Sequence, residues 1–147
     1  MKHIYLPSTI KTIGEYAFTG CGHLETINLP NGLEEGIGVT YIGTYSFNST
    51  GNIKIEERND YKPLAKLTSI GTSAFYKAGK GFYLTEIPKN LTNIEAWAFA
   101  ECDNVLLEDF STVKKMGSSA LYGSGKTSTI NIILPTALDD FAKGCFS

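Results

Sequence analysis

The chain repeats itself, and that repetition limits the folds open to it more than length or composition does. The signature Ile-Gly-x-x-Ala-Phe stands at 13–18, at 42–47 with Ser46 for Ala, and at 70–75. It returns at 94–99 with Glu95 for Gly, at 116–121 with Met116 and Leu121 at its ends, and at 141–146, where Phe141, Ala142 and Cys145 depart from it. Three residues ahead of each lead residue stands another aliphatic: Ile10, Val39, Leu67, Leu91, Val113 and Leu138. The lead residues fall 22 to 29 apart. A unit of that size cannot bury an apolar face alone, so neighbouring units must stack into a solenoid.

The columns run on past the signature. Three residues after the Phe position come the small residues Cys21, Thr50, Ala78, Cys102 and Ser124, followed directly by Gly22, Gly51, Gly79, Asp103 and Gly125. Small residues suit a crowded corner, and Gly suits the change of direction after it. An apolar, β-branched stretch ending in Pro follows. Leu24-Glu25-Thr26-Ile27-Asn28-Leu29-Pro30 is its clearest copy, 82–88 and 130–135 are looser ones, and 4–7 is the tail of one. Val, Ile and Thr content with a Pro stop predicts a strand. Each unit therefore reads as a strand, a Pro turn, a short second extended piece carrying the lead residue, and about one helical turn around Ala-Phe. The Pro-to-lead step is six from Pro7, Pro88 and Pro135 but twelve from Pro30 to Ile42, so 32–38 and 57–62 are insertions on a preserved frame.

The run Leu-Pro-x-x-Ile-x-x-Ile-Gly-x-x-Ala-Phe-x-x-Cys-x-x-Leu, from Leu6 to Leu24, resembles the BspA-like (Treponema-type) leucine-rich repeat. The resemblance covers nearly the whole chain. It implies an α/β leucine-rich-repeat solenoid over 1–147 as a single domain, right-handed, with one parallel strand and a short helical turn in each of five to six repeats. Members of this family are often bacterial cell-surface or secreted adhesion proteins, and the resemblance brings no catalytic, cofactor or metal residue with it. The chain opens in the last residues of a strand and stops one residue after Phe146, and neither end resembles a cap. The expectation is a fragment of a longer repeat array with uncapped ends, or ends that associate with other chains.

Several residue patterns suggest chemistry and are better explained by the frame. The run 120–127 matches the phosphate-binding loop G-x-x-x-x-G-K-[ST] with Ala120 for the first Gly. Such loops lead into a helix whose N-terminus faces the phosphates. Here a Thr/Ile-rich strand follows, and Ala120, Ser124 and Gly125 already belong to repeat columns. Cys21 and Cys102 share a column three repeats apart, about 14 Å at one strand spacing per repeat. A disulfide needs Cα atoms within about 7 Å, so all three cysteines, Cys145 included, read as small buried apolar residues. His3 and His23 have no positioned partner, and the paired carboxylates 34–35, 56–57, 108–109 and 139–140 read as solvated turns. An enzyme is the least supported class. Thirteen basic against fifteen acidic residues, a net charge of -2, give no footprint for nucleic acid. No apolar run reaches the roughly 18 to 20 residues that insertion into a membrane takes, and the first residues lack the apolar core of a signal peptide.

Two surfaces are candidates for contact with a partner. The position two before the Phe is Tyr16, Tyr45, Ser73, Trp97, Ser119 and Gly144, and it is expected to point outward, with Tyr76 and Tyr122 nearby. Rigid outward aromatics make good contact residues; they also serve simply to shield a repeat edge. The second is the outward side of the strands: Thr26, Asn28, Lys54, Glu56, Tyr83, Glu86 and Asn131. Their mixed charge makes a polyanion a poor ligand. The expected function is non-enzymatic recognition of a protein or glycan, without cofactor or metal, in a bacterial surface or secreted protein. The alternative is an intracellular scaffold that self-associates end to end through its terminal repeats.

Overall fold

Each lead residue sits on a strand of only two residues, and the strands stack in chain order. The computed structural model describes residues 1–51, 53–55, 58–79, 87–102, 109–124, 133–134, 140–141 and 144–145. Its strands are β1 (His3–Tyr5), β2 (Thr12–Ile13), β3 (Thr26–Asn28), β4 (Tyr41–Ile42), β5 (Ser69–Ile70), β6 (Asn93–Ile94), β7 (Lys115–Met116) and β8 (Asp140–Phe141). A six-stranded parallel sheet runs β2-β4-β5-β6-β7-β8. Its register places Ile13, Ile42, Ile70, Ile94, Met116 and Phe141 in one row, as the repeat alignment requires. The Pro-terminated stretches supply a second parallel pair, β1 with β3, which Lys54 extends by a bridge to Thr26. The sheet that passes through all six copies is thus the short second extended piece, not the longer β-branched stretch.

The expected helical turn is absent: among the described residues there is no helix. In its place each coil lays down a ribbon of turns. Ala17, Thr19 and Cys21 donate their N–H groups three residues back, to Gly14, Tyr16 and Phe18, while Tyr16, Phe18 and Gly20 donate to Thr44, Ser46 and Asn48 of the next coil. A right-handed helix needs negative φ throughout. Here every fourth residue is left-handed: Tyr16 and Gly20, Tyr45 and Ser49, Ser73 and Lys77, Trp97 and Glu101, Ser119 and Gly123. Positive φ at the third position of a turn is the type II geometry that usually selects Gly. Non-Gly residues adopt it at a cost of about 1 kcal/mol, offset here by backbone hydrogen bonds between coils.

The interior is a row of aromatic rings beside the row of lead residues. Phe18, Phe47, Phe75 and Phe99 stack at 5.2, 5.3 and 5.5 Å with planes within 15°. Phe47, Phe75 and Phe99 are fully buried, as are Val39, Leu67, Leu91 and Val113. In the first copy Ala17 is exposed and Phe18 half-buried. The small column is buried at Thr50, Ala78 and Cys102. Thr50 donates its hydroxyl to Phe47 O at 2.9 Å and Cys102 its thiol to Phe75 O at 2.8 Å. Cys21 is only half-buried, contrary to expectation, because it belongs to the same outermost copy as Ala17. None of the three cysteines forms a disulfide.

Ser46 stands where four of the other copies carry Ala, and its hydroxyl is buried without a hydrogen-bond partner among the described residues. An unsatisfied buried hydroxyl costs about 1 kcal/mol or more. Ser46→Ala is therefore expected to raise the melting temperature by a few degrees in a thermal scan; an unchanged or lower value would show that the hydroxyl is satisfied.

Candidate functional site

The turn ribbon carries the exposed aromatics. Tyr16 is 59% and Trp97 37% exposed, while Tyr45 is half-buried because Tyr16 lies flat upon it, centroids 5.3 Å apart and planes 9° off parallel. The column does not face outward throughout, since Ser73 is only 6% exposed. A short side chain in that register lies below the level of its larger neighbours, so the ridge divides in two. One part is the Tyr16–Tyr45 pair. The other is Trp97 with Tyr122 at 5.4 Å and Tyr76 edge-on at 6.3 Å. Lys77 lies 5.0 Å from the Tyr76 ring centre and 3.6 Å from the Glu101 carboxylate. Its hydrogen bond with the Tyr76 hydroxyl, and then the Glu101 charge, raise its pKa above the usual lysine value, so it stays a cation.

The β1–β3 face gathers the second set. The pleat turns Ile27 inward and leaves Asn28 exposed, with Thr26 half-exposed beside it. Register places His3 beside Thr26 and Tyr5 beside Asn28, and the bridge adds Lys54 to the His3–Thr26 row. Together with Arg58 and Tyr61 from the insertion, these residues line a recess of about 540 Å³. His3 Nδ1 lies 2.8 Å from Thr26 Oγ1. Arg58 and Tyr61 exchange backbone hydrogen bonds, and the Arg58 guanidinium lies 5.4 Å from the Tyr61 ring centre. Glu56, Tyr83, Glu86 and Asn131 lie outside the described residues. Sequence reasoning missed His3 and Tyr5, which the repeat alignment could have found, since 4–7 is in register with 27–30. No local signal marked Arg58 and Tyr61.

Gly125, Lys126 and Thr127 of the phosphate-loop look-alike also lie outside the described residues. Ser124 before them donates its hydroxyl to Leu121 O at 2.7 Å, as a residue of the turn ribbon. Among the described residues no group of three or more His, Cys, Asp or Glu is placed to hold a metal ion, and no helix is long and apolar enough to cross a membrane.

Two-residue parallel strands in chain order, a ladder of stacked phenylalanines and a hydrogen-bonded turn ribbon define a leucine-rich-repeat module. The family description "BspA type Leucine rich repeat region" matches residues 1–80 and 68–147 in six copies, and the chain belongs to this family. No curated protein matches it significantly. Among solved structures it is similar to the crystal structure of a leucine-rich repeat protein from Bacteroides ovatus ATCC 8483, determined at 1.19 Å resolution. The two are 26% identical with a TM-score of 0.54, over 93% of this chain and 38% of that one. The chain thus spans well under half the length of that protein. Leucine-rich repeat proteins of this kind are typically non-enzymatic, and stacked repeats offer extended surfaces for binding.

Proposed function

We propose that the chain is a non-enzymatic module that recognises a protein or glycan partner through its aromatic ridge, as part of a bacterial surface or secreted protein. The observation that carries this reading is the pair of aromatic groups, Tyr16–Tyr45 and Tyr76–Trp97–Tyr122, whose Tyr16, Trp97 and Tyr122 are exposed on a ribbon hydrogen-bonded from coil to coil. Aromatics held by a rigid ribbon offer large contact area with few rotors to freeze on binding. The bacterial source of the solved neighbour supports the setting, and the family's frequent role in adhesion supports the compartment.

A panel of extracellular-matrix proteins and immobilised glycans tests the reading. Trp97→Ala, and separately Tyr16→Ala with Tyr45→Ala, are expected to weaken the bound partner by about tenfold or more, as central aromatics do. The melting temperature should move little, because the ridge lies outside the buried core. A partner whose affinity is indifferent to both variants would sink the assignment of the ridge.

A further inference from the structure

We propose that the recess on the β1–β3 face is a second binding site, distinct from the aromatic ridge, and that it takes a short saccharide bearing one carboxylate. The recess is rich in hydrogen-bond donors. Among the described residues the Lys54 ammonium has no hydrogen bond or ion pair, and Arg58 gives only its Nε to Asp60, at 3.3 Å, which leaves the two terminal nitrogens. His3 Nδ1 and Thr26 Oγ1, at 2.8 Å, share one hydrogen. If Thr26 donates it, the Nε2–H of His3 remains; if His3 donates it, the Thr26 hydroxyl hydrogen remains. The Tyr61 hydroxyl lies 2.5 Å from Leu29 O and 2.6 Å from the Asn28 side-chain oxygen. It has one hydrogen and a backbone carbonyl can only accept, so the Asn28 amide is free to turn its nitrogen towards the phenol. In either orientation at least one amide N–H of Asn28 remains.

The described lining contains no acid. Among the described residues the nearby carboxylates are occupied, Glu25 by Lys2 at 2.7 Å and Asp60 by Arg58; Glu56 and Glu57, next to Lys54 and Arg58 in sequence, lie outside those residues. In a chain of net charge -2, this is a local concentration of cations with unspent donors. A carboxylate between Lys54 and Arg58 makes charge-assisted hydrogen bonds, the stronger kind. Tyr5, 79% exposed, supplies a flat wall on β1. The face of an aromatic ring is electron-rich and suits the C–H face of a pyranose. Lys54 and Tyr5 stand two strand spacings apart across the sheet and two residues apart along it, about 12 Å, so an acidic ring at Lys54 and Arg58 needs a second ring to reach Tyr5. An extended acidic peptide fits less well, because such segments bind by pairing main chain with an open sheet edge. The recess lies over the face of β1 and β3, away from the open outer edge of β1, so it offers side chains and not main chain.

Calorimetric titration of the whole chain tests this with three probes: glucuronic acid linked to galactose, its methyl ester, and an acidic tetrapeptide. The expected result is binding of the free acid, with the ester at least tenfold weaker and the peptide weaker still. Lys54→Gln and Tyr5→Ala, both at exposed positions, should each weaken the acid several-fold. Trp97→Ala should leave it unchanged, which separates failure of this site from failure of the ridge. Equal binding of acid and ester, preference for the peptide, no heat with the acid at millimolar concentration, or indifference to Lys54→Gln would each overturn the proposal.

Discussion

Phe75→Ala is expected to lower the melting temperature by about 10 °C, whereas Phe18→Ala should cost a fraction of that. Phe75 is fully buried and lies between Phe47 at 5.3 Å and Phe99 at 5.5 Å, with planes within 6° of parallel on both sides. Truncating a core Phe to Ala costs about 3 to 5 kcal/mol, because the cavity collapses only in part. At roughly 3 °C per kcal/mol for a chain of this size, the shift is about 10 °C. Phe18 is half-buried and stacks on Phe47 at 5.2 Å from one outermost copy, so less is lost. In a stack, each coil is stabilised chiefly by its neighbours. A gap at Phe75 therefore weakens the coupling between the two halves and should broaden the transition in differential scanning calorimetry. Equal shifts for the two variants would mean that the ring ladder is not the element holding the coils together.

The rows of this core were legible because they recur. Ile13, Ile42, Ile70, Ile94, Met116 and Phe141 align by sequence alone, and the parallel register follows. What escaped was conformation. Nothing about Tyr16, Tyr45 or Trp97 announces a positive φ, which in most chains falls to Gly, so by sequence Ala-Phe reads as a helical turn. Gly20 and Gly123, which share a column with Ser49, Lys77 and Glu101, were the available hint. The burial of Ser73 depends on the size of residues in neighbouring coils and is invisible within its own copy. The strand face was half legible. Alternation along β3 puts Thr26 and Asn28 on one side, but Arg58 and Tyr61 reach it through the path of an insertion. That path is held by contacts about thirty residues apart in sequence: Tyr61 to Leu29 O at 2.5 Å, Asn31 Nδ2 to Asp60 O at 3.0 Å, and Lys62 N to Asn31 Oδ1 at 3.0 Å. No local pattern foretells bonds of that kind.

The same dependence on the neighbouring coil governs the glycine of the signature. Gly71→Ala is expected to destabilise the chain by about 1 to 3 kcal/mol, the usual range for overpacking, and Gly14→Ala to be neutral or slightly stabilising. A Cβ on Gly71 would lie 2.5 Å from Thr44 N and 2.8 Å from Gly43 C of the preceding coil. Both are backbone atoms, so no side chain can swing aside. Gly117 is tighter still, with Ala96 N at 2.2 Å, whereas a Cβ on Gly14 meets nothing within 4 Å. Glu95 occupies the column in the fourth copy, so the column is not closed to every side chain. The penalty at Gly71 is then the cost of moving the backbone of the preceding coil away from the added Cβ. Urea unfolding of Gly71→Ala and Gly14→Ala side by side measures that cost, since the two changes share a sequence context and differ in what faces them. A difference below about 0.5 kcal/mol, the range of ordinary surface substitutions, would show that the coils yield freely, and the glycine column would then need another cause than close approach.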